Sequence, residues 1–330
     1  MFGTFRLILA CAVVLFHMGM DAGGILPGVA AVQCFLMVSG YAMAGLTRKS
    51  FPRLIDAPAF YADRALRLMP QYWFYVALSL VTVYVVGWRF PGFQDAPLSL
   101  DGVLANVIPP PYGSRYFFDA FGHLMLIPQA WSLGIEIMFY LMLPLLLLSR
   151  WTMAAALVYA AWVFAQATHG ILHPDMDGYR TMPAPLLWLL AGAALQRRDW
   201  PMFGAIGVFA AGLFISLVIA GKVWLGMNAP LFFGAAVGFA VMPVLARLKR
   251  RRWDDQLGNA SYGAFLVHYI FVAAFRNHLH EVPYAWIATA IAVPCGWLSW
   301  ALVEVPAARL RHLIRRRWLD LRQPVPAPAE

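Results

Sequence analysis

The sequence predicts an all-α fold, a polytopic transmembrane helical bundle of about ten spans, and three observations carry that prediction. The first is composition: 62% of the 330 residues are hydrophobic, 15% are aromatic and only 12% are charged, with a mean hydropathy of +0.66. That leaves too little polar surface for a water-soluble chain of this length. The second is a succession of apolar stretches about 17–25 residues long, the length that crosses a bilayer core. The third is the placement of positive charge. With the N-terminus set in the cytoplasm, every Lys and Arg except Arg89, Arg115, Arg180, Lys222 and Arg276 falls on the inside. This is the positive-inside bias, and it predicts both termini cytoplasmic. The net charge of +9 and the pI near 9.7 therefore reflect topology, and no nucleic-acid partner is expected.

The first span, near residues 5–21, follows a basic residue and could be taken for a secretory signal. No small-x-small cleavage site follows His17-Met18-Gly19-Met20-Asp21, and nine further spans come after it, so it is read as a retained helix. Arg6 and His17 are eleven steps of about 100° apart, close to three whole turns, so they share a face with about 16 Å between them. Arg6 then sits at the inner rim and His17 about half a bilayer deeper, where a neutral imidazole can accept a proton. A packing histidine is the alternative. The second span, near 28–47, contains Ser39-Gly40-Tyr41, where the glycine permits close helix approach and two hydroxyls can bond across it. From Arg48 to Met69 the chain is basic and aromatic and is expected at the cytoplasmic interface. There Arg64 and Arg67 lie three residues apart on one face, just before Pro70 opens the third span, near 70–88. Two guanidinium forks on that rim suit phosphate, although topology and lipid headgroups explain them more simply.

The connection from Arg89 to Gly122 is rich in Pro and Gly, too short for a catalytic domain, and a candidate lid. The fourth span, near 130–148, carries the most pointed signal. Its run QAWSLGIEIMFYLMLP, from Gln129 to Pro144, puts Glu136 at membrane depth, a cost of about 2.5–3.5 kcal/mol unless a wet cavity or a partner receives the charge. Ser132, four residues before, and Tyr140, four after, share its face. Spans near 152–168, 183–196, 201–220 and 226–246 follow, the sixth of the ten being short. The ninth, near 258–275, places Ser261 and His268 seven residues apart on one face. The tenth, near 284–303, ends at Glu304-Val305-Pro306, where a cap or an arginine partner would explain the carboxylate. Residues 1–306 thus read as one transmembrane domain and 307–330 as a basic cytoplasmic tail with a disordered end, PVPAPAE. Cys11, Cys34 and Cys295 fall within spans without metal-ligand spacing, so neither a disulfide framework nor a metal site is expected.

Taken together, these segments resemble the membrane-bound acyltransferase 3 family, which includes O-antigen acetylases and exopolysaccharide acyltransferases of bacteria. The resemblance rests on Arg6 with His17, Ser39-Gly40-Tyr41, Arg64-x-x-Arg67 followed by Pro70 and Tyr72, and Trp131-Ser132-Leu133 with Glu136 and Phe139-Tyr140. It continues through Leu257-Gly258 with Ser261-Tyr262 and His268 to Glu304-x-Pro306, in order across residues 6 to 306. The chain departs from the pattern at Gln33, where an acid is common, at Leu36, where a second Phe is common, and at Phe265, where Tyr is frequent.

The resemblance implies transfer of an acyl group from cytoplasmic acyl-CoA, with acetyl-CoA the first expectation, to a hydroxyl of a cell-surface, exported or lipid-linked saccharide. It implies a multi-pass protein of the bacterial inner membrane, in contact with lipid, with no permanently bound cofactor. His17 would be the catalytic histidine, as general base or through an acyl-histidine intermediate, and Arg64 and Arg67, with Arg6, would hold the donor. Glu136 is expected to orient His17 or to pair with an arginine, with Ser132, Tyr140 and Tyr262 as polar neighbours. Ser39, Tyr41, Tyr72, Trp131, Ser261 and His268 are the remaining supporting groups. A transporter or flippase for a lipid-linked glycan is the alternative of a different class, but no pair of matching interrupted helices is visible in the two halves.

Overall fold

The computed structural model describes residues 2–89, 99–107, 125–146 and 149–320, with the single positions 94 and 97. Twelve helices are described: α1 Phe2–His17, α2 Pro27–Ser50, α3 Ala57–Val81, α4 Leu100–Ala105, α5 Trp131–Leu146, α6 Arg150–Thr168, α7 Leu186–Arg197, α8 Trp200–Ile219, α9 Asn228–Arg247, α10 Arg252–Ala274, α11 Val282–Ser299 and α12 Val305–Asp320. Among the described residues the only strand-type pairing is an isolated bridge between Ala22 and Ile25. Seven segments are long and apolar enough to cross a membrane, while α1 and α7 are apolar but shorter. The protein is a polytopic helical bundle, as the sequence predicts.

α2 runs through the middle, against α1, α7 and α9, and α10 packs between α1 and α11. The α2–α7 crossing depends on two glycines. A Cβ on Gly40 would lie 1.9 Å from the Leu189 carbonyl oxygen, and one on Gly192 would lie 1.9 Å from that of Met37. Backbones in that contact exclude any side chain, which is how small residues bring membrane helices together. α1 is held in register from its first turn. Asp254, buried at the start of α10, accepts from the Gly3 and Thr4 backbone N–H groups at 3.0 and 2.8 Å and from the Thr4 hydroxyl at 2.7 Å. A carboxylate satisfying the orphan donors of another helix's N-terminus fixes how far that helix slides. The heights of Arg6 and His17 follow from it.

Two expectations need correction. Pro70 does not open the third span; it lies inside α3, which begins at Ala57 and continues through a π-helical turn, Thr82–Val86. The start signal is Pro58, in the first turn, where a missing N–H costs nothing, preceded by a 3₁₀ turn at Leu54–Asp56. The segment Arg48 to Met69 is therefore the end of α2, a short turn and the first part of a long helix. Arg64 and Arg67 sit within one apolar 33-residue stretch, Leu54–Val86. The second correction concerns the basic tail: Arg309, Arg311, Arg315, Arg316 and Arg317 belong to α12, and Arg322 lies outside the described residues. This helix packs on α3, with Arg315 bonded to Asp63. The connection from Arg89 to Gly122 lies largely outside the described residues, and so does the terminal PVPAPAE.

Candidate active site

A cavity of about 490 Å³ opens among α1, α2, α3, α5 and α10. Ten of the residues singled out in the sequence line it: Arg6, Ser39, Tyr41, Arg64, Arg67, Ser132, Glu136, Tyr140, Ser261 and Tyr262. Phe2, Phe35, Leu133 and Phe265 supply apolar wall, and Arg250, from the turn before α10, adds a fourth guanidinium. With four arginines and one carboxylate on its lining, the cavity favours an anionic ligand. Arg250 appears in the sequence only as one of a basic run; it is exposed, and its Nε–H is shared between the two carboxylate oxygens of Asp255, at 2.8 and 2.9 Å.

Most charges here have a partner. Glu136 accepts from the Ser39 hydroxyl at 2.6 Å and from the Tyr140 hydroxyl one turn on. Arg6 feels the opposing charges of Glu136 and Glu304 together with the like charge of Arg67. Arg67 pairs with Glu304 at 2.5 Å, and its guanidinium stands 5.5 Å from the centre of the Tyr262 ring. The Tyr262 hydroxyl donates to the Leu68 carbonyl at 3.1 Å. Asp63, 2% exposed, binds Arg64 through Nε at 3.0 Å and through Nη2, and binds Arg315 through Nε at 2.9 Å, with Arg311 at 4.0 Å. Neither Asp63 nor the arginines of α12 stand out in the sequence, because nothing local marks two segments some 250 residues apart as neighbours. Ser132 and Ser261 spend their hydroxyl protons on carbonyls three residues back, those of Gln129 and Gly258. Tyr41 rests against Phe2, with ring centres 4.8 Å apart.

His17 and His268 lie outside this lining and form a separate layer. His17 ends α1, with Nδ1 2.9 Å from the Val13 carbonyl oxygen and 3.2 Å from Nε2 of His268. His268 is fully buried, and its Nδ1 is 2.6 Å from the Phe265 carbonyl oxygen. The Tyr269 ring packs 4.8 Å from that of His17. Between this layer and the cavity stands an aromatic pair: the Phe265 ring is 6.3 Å from Phe35 and 5.8 Å from His268.

The structure does not bring Glu136 to His17. The reason is depth along α5. Gln129, just before that helix, donates to the Phe265 and Leu266 carbonyls at 3.0 and 2.8 Å and so marks the level of the histidines. Seven residues at about 1.5 Å each carry Glu136 about 10 Å away from that level, towards the arginines. Trp131 stays near the histidine level, edge-on to Tyr179 at 4.7 Å and under the Arg180 guanidinium at 5.2 Å, which in turn bonds Asp175 at 2.8 Å. Tyr72, fully buried, donates to the Asn106 carbonyl at 2.7 Å and anchors the segment that follows α4.

A model of the acyltransferase 3 family, described as an acyltransferase domain, matches residues 3–304. The chain belongs to the acyltransferase 3 family. Nodulation protein 10 of Rhizobium leguminosarum bv. viciae is 26% identical to it over 96% of this chain and 95% of its own length. An uncharacterized protein of Aquifex aeolicus (strain VF5) is 28% identical over 58% of this chain and 91% of its own length. The exopolysaccharide production protein ExoZ of Rhizobium meliloti (strain 1021) is 32% identical over 34% of this chain and 32% of its own length. No solved structure matches the chain significantly. For this acyltransferase 3 protein the matched region takes in every cavity-lining arginine, both histidines and Glu304, while Arg311 and Arg315 lie beyond it.

Proposed function

We propose that this acyltransferase takes its acyl group, acetyl in the first instance, from an acyl-CoA bound in the arginine-lined cavity and delivers it to a saccharide hydroxyl at His17. The observation that carries this reading is the course of α1. A helix whose register is fixed by Asp254 holds a guanidinium in the wall of an anion-favouring cavity and an imidazole about 16 Å deeper. An acyl-CoA has that shape: a phosphate-bearing head for Arg6, Arg64, Arg67 and Arg250, and a long thin arm that reaches past Phe35 and Phe265. His17 takes the proton of the acceptor hydroxyl as its oxygen attacks the thioester carbonyl, a role worth typically 10²–10⁴-fold in rate. The carbon–sulfur bond then breaks, and the proton held on His17 passes to the leaving CoA sulfur. The positive-inside bias puts the cavity mouth and both termini in the cytoplasm, and a bacterial inner membrane is the setting that supplies both substrates. The printed name of ExoZ supports an exopolysaccharide or a related glycan as acceptor class.

Incubating the purified protein in lipid nanodiscs with labelled acetyl-CoA tests this. Saturable binding with slow release of free CoA thiol is the expected result. Absence of both would sink the donor assignment and favour the glycan transporter.

A further inference from the structure

Three hydrogen-bond distances fix the protonation pattern of the histidine layer. A backbone carbonyl only accepts, so the 2.9 Å contact with Val13 requires the proton of neutral His17 on Nδ1, and the 2.6 Å contact with Phe265 requires that of His268 on Nδ1. His268 Nε2 is then a bare lone pair, 3.2 Å from the N–H of His17. The opposite tautomers would set a nitrogen lone pair against each carbonyl oxygen. A single pattern satisfies all three contacts, and it leaves His17 Nε2 unprotonated and without a hydrogen-bond partner among the described residues.

We infer that His268 is a positioning residue for His17, accepting from its Nδ1–H so that Nε2 is the atom that takes the acceptor's proton. This rests on the reading of His17 as the base. The Val13 carbonyl lies on the last turns of α1, where it already serves the helix backbone. A dedicated imidazole lone pair is the better acceptor once His17 becomes an imidazolium and its Nδ1–H sharpens as a donor. The effect therefore falls on the charged state formed during transfer and not on donor binding. It gives His17 the oriented, hydrogen-bonded support that a carboxylate provides in a serine-hydrolase triad. Here the supporting group is uncharged, so the layer carries no buried ion pair. Burial of His268 on all sides, and the Phe265 carbonyl that holds its ring from behind, keep that lone pair aimed at His17.

Two substitutions separate this role from packing. His268→Phe keeps an aromatic ring but no acceptor, and the Phe265 carbonyl it abandons still receives Gln129 Nε2 at 3.0 Å. His268→Gln changes the shape but restores an acceptor oxygen and an N–H donor. With acetyl-CoA and water as acceptor, release of free CoA thiol gives kcat and KM, and thermal unfolding reports folding. The expected result for His268→Phe is an unchanged KM and a kcat about ten- to a hundredfold lower, the typical worth of a hydrogen bond to a charged group. His268→Gln should recover most of that loss. Full turnover in His268→Phe, equal losses in the two variants, or a better-performing Phe than Gln would each overturn the positioning role. His17→Ala run alongside keeps the two readings apart: full turnover there removes the base itself, whereas a dead His17→Ala beside an unchanged His268→Phe removes only the inference about His268.

Discussion

At one end of α1, Arg6 lines a cavity with three other guanidiniums, two of which are held by buried carboxylates: Glu304 on Arg67 and Asp63 on Arg64. Eleven residues further along the same helix, His17 meets a second imidazole, a tyrosine ring and one backbone carbonyl, that of Val13. Under the proposed function, the difference divides two tasks within one bundle. Anion capture needs full charges, and full charges inside a membrane protein need counter-ions and a wet cavity. Proton transfer needs only a lone pair of suitable basicity, which a neutral imidazole supplies without an ion pair. The one carboxylate of α5, Glu136, therefore lies with the arginines and not with His17.

The largest expected effect tests whether the charged end is structural as well as receptive. Asp63→Ala strands Arg64 and Arg315 without their shared carboxylate, and stability should fall by about 3–5 kcal/mol, measured by denaturant unfolding in detergent. An unchanged unfolding midpoint would mean these pairs hold nothing together. Next, His17→Ala should cut acyl transfer by about a hundredfold or more, roughly 2.7 kcal/mol of barrier, while acetyl-CoA affinity measured by titration stays within about twofold. If donor affinity collapses instead, the two ends of α1 are one site. Arg67→Lys keeps the charge and loses the fork, so acyl-CoA should bind about three- to tenfold more weakly with kcat little changed. Equal affinity would return Arg67 to a purely topological role. Smallest of all, Glu136→Gln retains an oxygen for the Ser39 and Tyr140 hydroxyls and should alter turnover by no more than about threefold. Loss of turnover with normal donor binding would put that carboxylate back beside the base.

Helical periodicity made much of this legible. The face shared by Ser132, Glu136 and Tyr140 and the close approach at Gly40 are local geometry, and the structure reproduces both, while Arg6 and His17 share one unbroken helix. Glu304 was readable as a cap or an arginine partner, and Arg67 is that partner. Pro70 misled because a proline inside a span is written like one at its start, and the nearby Pro58 carries the start signal. Asp63, Arg250, Arg315 and the link between His17 and His268 were out of reach for another reason. Which helix faces which is decided by contacts between distant segments, and no single-helix pattern encodes the height at which two helices are fixed against each other.

The clasp of Asp63 and Arg315, 252 residues apart in the chain, has a consequence for biogenesis. At about 5–20 residues per second a ribosome needs roughly 10 to 50 s to reach α12 after finishing the turn of α3 that carries Asp63. During that interval Asp63 lacks Arg315, and Arg67 lacks Glu304, although α3, which carries both, is already entering the membrane. The ion pairs behind the arginine-lined cavity are thus completed only by helices translated long after α3, and a nascent chain halted before Glu304 has His17 in place while Asp63 and Arg67 still wait for those partners.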